Sequence, residues 1–420
     1  MRASFDAAVA AADPLRIVEP HLPAPTHHRV LVVGAGKAAA SMALAVERAW
    51  LHVALDGLVI TRYGHAAPTS RIRVVEAGHP VPDDAGEAAA EEILQLVSQL
   101  QPDDLLLVLI SGGGSSLLTL PVPAVSIGAL KSVTSSMLAS GAPIGEMNVV
   151  RKHLSQITGG RLAAVAAARG ANVVALIISD VTGDAPTDIA SGPCSPDPTT
   201  YTDALEVLSR WNVAVPEEVT AWLQRGANGD VPETPKPGDP LFTKVQNRVI
   251  ATAHQSLEAA GGVFRKAGIN AVILGDTVTG EARDVAKVYA AIVREIRARS
   301  QPFAAPVALI SGGECTVTLP PGTNGRGGRC TEFLLSLAIE LDAVTGIYAL
   351  ACDTDGIDGS EDNAGAWFGP EFLKQAGAGE AASKALQRHD SYGYFATADQ
   401  LIITGPTLTN VNDYRAILVS

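Results

Sequence analysis

Apolar residues along this chain gather in short blocks separated by longer amphipathic stretches. Blocks at 29–33, 57–61, 71–76, 105–110 and 171–179 have the length of buried strands and are too short for stable lone helices. Helical patterns run between them: an N-terminal amphipathic stretch within 1–28 before a Pro-rich approach, an alanine-rich segment toward Trp50, then 85–100, 124–140 and 144–169. This alternation predicts a mostly parallel sheet covered on both faces, an α/β fold. Strand-like blocks at 248–253, 270–274, 307–310, 347–351 and 401–404, with helices to Ala267 and over 331–341, repeat the α/β pattern. Between the two sets, 211–241 carries Pro216, Pro232, Pro235, Pro237 and Pro240 among polar residues, which predicts a boundary. The expected division is a domain over 1–235 and a second over 240–420.

The ends of the strands carry the chemistry. In open α/β sheets ligands collect at the carboxyl ends of strands, and the polar clusters of this sequence fall there. The run Leu105–Ile110 stops at Ser111-Gly112-Gly113-Gly114-Ser115-Ser116, whose glycines let backbone N–H groups approach an anion. The junction recurs at Ser311-Gly312-Gly313-Glu314, so two walls of one site are expected. Gly34-x-Gly36-x-x-Ala39 fits the loose dinucleotide fingerprint, but the next strand ends Thr61-Arg62-Tyr63 without the carboxylate a nicotinamide ribose requires. Lys37 inside that turn suits a phosphoryl group or a substrate carboxylate instead. Arg326 and Arg329, set among glycines, can grip phosphate bidentately, and Arg151 with Lys152 could add to them. Asp180, Asp353, Asp355 and Asp358 supply the oxygen ligands a magnesium–nucleotide site needs. His79, between Gly78 and Pro80, is a candidate base or hydrogen-bond partner, whereas His27 and His28 are expected to be solvated.

A formal net charge of −13 argues against a nucleic-acid or anionic-membrane partner, so any anion must be held by a local cluster of cations. The four cysteines are scattered without CxxC spacing, which predicts reduced thiols in a cytoplasmic protein. Neither a secretory signal nor a membrane-spanning run is read.

Together these motifs resemble the class II glycerate 2-kinases, which join an N-terminal glycerate-kinase domain to a C-terminal MOFRL domain. The resemblance rests on VVGAGKAA at 32–39, EAGHPVPD at 76–83, LISGGGSSLL at 109–118, MNVVRKHLSQITGGRLA at 147–163 and ISDVTGDAPTDIASGP at 178–193. It continues in LISGGECTVT at 309–318, NGRGGR at 324–329, DTDGIDG at 353–359 and TGPTLTNVND at 404–413. The resemblance implies two α/β domains, the larger a Rossmann- or flavodoxin-like three-layer sandwich, with the active site in an interdomain cleft. It also implies phosphorylation of D-glycerate to 2-phosphoglycerate by ATP with Mg²⁺, by the chain alone or as a homodimer. Lys37 and Arg326 would be the catalytic cations, with Asp180 and Asp353 as base or metal-binding carboxylates and Asp355 as a further metal ligand. Gly36, His79, residues 111–116, Asn148, Arg151, residues 311–314, Arg329 and Asn410 would contact substrate or phosphate. An NAD(P)H-dependent hydroxypyruvate reductase is the alternative. Three departures from the family pattern stand out: Cys330-Thr331 where it has Asn-Gln, Thr182 where it has proline, and Leu408 where it has a small or polar residue.

Overall fold

The computed structural model describes residues 1–420 except 26–27, 321, 343–344 and 374–377, so His27 lies outside the described residues, while His28 is exposed, as expected. The chain forms two compact units, residues 14–250 and residues 1–13 with 251–420. This differs from the expected division near 235–240 at both ends. The first helix, Arg2–Ala11, places Phe5 and Ala8 in the same apolar cluster as Leu257, Ala260 and Phe264, which ties the N-terminus to the second unit. The strand Val245–Ala251 completes the sheet of the first unit.

In the unit 14–250 the strands are β1 (Val30–Ala35), β2 (Leu55–Arg62), β3 (Ile72–Ala77), β4 (Leu105–Ile110), β5 (Asn172–Ile178) and β6 (Val245–Ala251). Their order is β3-β2-β1-β4-β5-β6, and β1 to β5 are all parallel. This is the Rossmann order, with the direction of winding reversing between β1 and β4. Leu106, Val108 and Ile110 of β4 bury one face against the helices Asp84–Ser98 and Arg161–Ala168. Leu105, Leu107 and Leu109 are equally buried on the other face, which explains the unbroken apolar run.

The expected helix over 144–169 is two helices, Ile144–His153 and Arg161–Ala168, because Gly159 and Gly160 both adopt positive φ. The proline-rich stretch 211–241 is likewise more than a linker. It contains the helix Glu217–Ala227, whose Val219 and Leu223 pack into a second apolar cluster with the helices Ile127–Ser140, Ile144–His153 and Tyr201–Arg210.

The second unit holds β7 (Asn270–Gly275), the short pair β8 (Gly280–Glu281) and β10 (Cys315–Thr316), β9 (Val307–Ser311), β11 (Ile347–Asp353), β12 (Gly365–Phe368), β13 (Leu401–Ile402) and β14 (Asp413–Val419). Its main sheet runs β13-β12-β11-β14-β9-β7 and is largely antiparallel, with only β7 and β9 parallel. No α-helix lies between β11 and β12, so the chain returns antiparallel rather than through a crossover. The helices Ala282–Arg299 and Arg329–Leu341 cover one face, and Arg2–Ala11 with Ala253–Lys266 cover the other. Among the described residues, no helix is long and apolar enough to cross a membrane.

Candidate active site

The polar loops of the first unit meet at the carboxyl ends of β1 and β4, where the winding reverses. The Lys37 N–H donates to the Gly112 carbonyl at 2.9 Å, and the Ala38 N–H donates to Ser111 Oγ at 2.9 Å. Such close approach dictates residue type. Gly36 has φ +139°, and a Cβ there would stand 2.2 Å from Ser111 Oγ. Gly113 has φ +80°, and its Cβ would fall 2.8 Å from His79 Nε2 and 3.5 Å from Lys37 Cγ. His79, Gly113 and Lys37 are therefore immediate neighbours, as the shared positions of their motifs led one to expect.

The electrostatics of this corner are cationic. Burial lowers the His79 pKa to about 3, helped by the positive charge of Lys37, by Arg62 and by His65. A neutral imidazole of such low basicity is suited to hydrogen bonding more than to taking up a proton. His65, buried just after β2, is likewise shifted down by burial, and its Nε2 has no hydrogen-bond partner among the described residues. Arg62 and His65 carry no motif in the sequence that marks them; only the fold brings their charge to His79.

Beside this corner, Ser115 and Ser116 line a small cleft, open to solvent, together with Arg151, Lys131 and Ser191. Ser115 Oγ lies 3.0 Å from Ser191 Oγ, which donates to Asn148 Oδ1 at 3.1 Å. Asn148 in turn donates from Nδ2 to the Asp188 carbonyl at 3.4 Å. Of the expected residues, Gly36, Lys37, His79, 111–116, Asn148 and Arg151 thus all belong to this one unit, and Asp180 follows β5, the strand next to β4. Lys152, adjacent to Arg151, turns inward and pairs with Asp197 at 3.5 Å.

The expected residues of the second unit form a different kind of cluster. Arg329 is held by three carboxylates: Nε by Asp413 at 2.8 Å, Nη1 by Glu314 at 2.5 Å and Nη2 by Asp353 at 2.7 Å. An arginine so neutralised organises the loops around it; the expected grip on a phosphate is not the geometry it holds. Asp413 also pairs with the fully buried Arg415, which donates to the Gly312 carbonyl and so fixes the 311–314 loop.

Asp353 and Asp355 were expected to bind metal. Asp353 gives one oxygen to Arg329 and the other to the Asp355 N–H, and Asp355 accepts from the Ile357 N–H at 2.9 Å. Asn410 is buried and accepts from the Asn412 N–H at 3.4 Å. Among the described residues, no group of three or more His, Cys, Asp or Glu side chains is arranged to hold a metal.

Asp358 caps the helix Arg329–Leu341 by accepting from the Cys330 and Thr331 N–H groups and from Thr331 Oγ1, and burial raises its pKa to about 6. Arg326, unlike Arg329, is exposed. It lies over the Tyr392 ring at 4.9 Å, with Glu361 and Asp390 no closer than 3.9 Å and 4.0 Å.

The two substituted amides have structural roles here. Cys330 is buried among Leu334, Phe333 and Ala351 of the apolar core. Thr331 Oγ1 accepts from Ser391 and from the Gly328 N–H as well as donating to Asp358.

Residues 1–224 match the family described as a domain of unknown function (DUF4147), and residues 307–413 match the MOFRL family. A protein of Agrobacterium vitis named "Putative hydroxypyruvate reductase" is 50% identical over 420 residues, covering 100% of this chain and 94% of its own. The glycerate 2-kinase of Pyrococcus horikoshii is 40% identical over 395 residues, covering 93% of this chain and 88% of its own. The crystal structure of glycerate kinase from Thermotoga maritima is similar with a TM-score of 0.86 at 38% identity, covering 99% of this chain and 98% of that one.

Proposed function

Because this chain belongs to the MOFRL-containing glycerate kinase family, we propose that it transfers the γ-phosphoryl group of ATP to the 2-hydroxyl of D-glycerate. The observation that carries the reading is the corner where the Gly36–Lys37 turn and the 111–116 loop interlock beside a neutral His79. Phosphoryl transfer requires little covalent help from the protein; positioning and charge neutralisation do most of the work.

Lys37 supplies a positive charge where the phosphoryl oxygens gather charge, and the glycine-loop N–H groups add donors that need no reorganisation. His79, kept neutral, donates or accepts one hydrogen bond without adding charge. Asp180 is the carboxylate we assign to Mg²⁺. Magnesium typically takes only one or two protein carboxylates, with phosphate oxygens and water completing its shell, and this donor set fits that habit. When bound, the ion neutralises charge on the phosphates. We assign Asp353 a positioning role rather than that of base, since its carboxylate is buried and already engaged by Arg329 at 2.7 Å.

The test is to incubate the protein with D-glycerate and MgATP and, separately, with hydroxypyruvate and NADH or NADPH. Glycerate-dependent ADP release supports the kinase, and phosphorus NMR of the product distinguishes the 2- from the 3-phosphate. Nicotinamide oxidation without ADP release would overturn the reading in favour of the reductase.

A further inference from the structure

Two cations of the first unit face the same cleft without an acidic partner. Arg151, in the last turn of the helix Ile144–His153, forms no ion pair or side-chain hydrogen bond among the described residues, and burial alone pulls its pKa down. Lys131, on the helix Ile127–Ser140, also forms no ion pair; Asp83 feels its charge but is already engaged by Tyr63 and the Gly86 N–H. Both helices are fixed by a shared apolar cluster that includes Val133, Met137, Met147 and Val150. Among the described residues, no carboxylate lines the cleft between them. In a chain of net charge −13, two rigidly mounted cations left without acids mark a place for an anion from outside.

The serines show which anion. Asn148 Nδ2 donates to the Asp188 carbonyl, so its Oδ1 is the atom that receives the Ser191 proton. Ser191 can therefore only accept from Ser115, and Ser115 spends its proton there. What Ser115 offers the cleft is lone pairs. A fully ionised phosphate has no proton to give them, whereas an alcohol does. The cleft thus combines donor-only cations with an acceptor suited to an O–H group.

We propose that Arg151 and Lys131 bind the carboxylate, and Ser115 a hydroxyl, of the acceptor acid. This makes the acceptor class short hydroxy-carboxylates and excludes neutral polyols. The assignment rests on the kinase reading for its link to turnover, but the binding it asserts can be measured without ATP.

The experiment compares wild type with Lys131→Gln, Lys131→Arg and Arg151→Gln, reading steady-state constants and calorimetric binding of D-glycerate and of lactate to nucleotide-free protein. Lys131→Gln is expected to raise the KM for glycerate about tenfold and Arg151→Gln more, with the KM for ATP unchanged and Lys131→Arg close to wild type. Glycerol should be a poor acceptor for wild type and no poorer for Lys131→Gln. A rise in the KM for ATP alone, or unchanged constants in Lys131→Gln, overturns the proposal while the kinase reading stands. If wild type turns over no glycerate yet binds hydroxy acids, and Lys131→Gln weakens that binding, the subsite stands and the kinase reading falls. Absence of hydroxy-acid binding by wild type overturns the subsite.

Discussion

The low basicity of His79 makes the candidate site a source of acid sensitivity, and His79→Gln isolates it. In an unfolded chain the imidazole takes up a proton near pH 6.5; in the fold it does so only near 3. The difference, about three and a half pH units at 1.36 kcal/mol each, is about 5 kcal/mol. Because the folded-state value is the lower one, the unfolded state binds more protons between these limits, so stability falls as pH falls from 6.5 toward 3. At pH 5 this linkage alone removes about 2 kcal/mol relative to pH 8, and the full amount is lost only below pH 3. Glutamine keeps a polar side chain of similar reach and does not titrate. Urea unfolding at pH 8, 6.5 and 5 should therefore show wild type losing about 2 kcal/mol more than His79→Gln on going from pH 8 to 5. The His79 ring signal in proton NMR should stay in its neutral position throughout that range. Equal pH dependence in the two proteins, or a His79 resonance titrating near 6.5, would refute both the buried placement and the neutral role.

Lys37→Met should lower kcat by roughly 10²–10³ while leaving the circular dichroism spectrum unchanged, since it removes one preorganised charge from the transferring phosphoryl; ADP release measures it. Arg329→Met should destabilise the second unit by about 3–5 kcal/mol in thermal or urea unfolding, because Asp413 and Asp353 are buried and lose a shared counter-charge. Leu408 adopts φ +60°, a conformation that costs an L-residue with a bulky side chain about 1–2 kcal/mol and that asparagine tolerates. Leu408→Asn should accordingly raise the unfolding free energy by about 1 kcal/mol without changing the sheet content.

The first sheet was legible because its strands are buried on both faces and separated by amphipathic helices, a pattern that fixes parallel pairing. The second was less so. The blocks at 307–310 and 347–351 are as apolar as those of the first sheet, and nothing in such a run tells an antiparallel neighbour from a parallel one. The single helix expected at 144–169 failed at Gly159 and Gly160, where two adjacent left-handed residues outweigh the surrounding helical periodicity. In the site, the interlocking of Lys37 with 111–116 followed from strand order, which motif position anticipates. The neutralisation of Arg329 did not, because its partners come from residues 314, 353 and 413 and meet only in the folded sheet. Lys131 is not marked in the sequence for the converse reason: its significance is an ion pair it does not form among the described residues, and sequence carries composition rather than pairing.

That contrast separates two kinds of charged residue that the sequence presents alike. Arg329, Arg415, Asp353 and Asp413 satisfy one another, so their charges hold loops in place and are consumed in doing so. Thr331, at one of the three departures from the family pattern, belongs to the same category, as its hydroxyl completes the cap on Asp358 rather than facing a ligand. Cys330, at the neighbouring position, lies in the apolar core. The replacement of two amides therefore bears on how this helix begins, and gives no ground for a changed acceptor. Arg151 and Lys131 are the opposite case: mounted on helices, facing a cleft with no acid, and bordered by a serine whose proton is already committed. Leaving cations in this state raises the energy of the ligand-free protein, a cost that binding an anion removes. The selection of a hydroxy acid over a neutral alcohol follows from that unpaid charge, and over a phosphate from the direction of one hydrogen-bond chain.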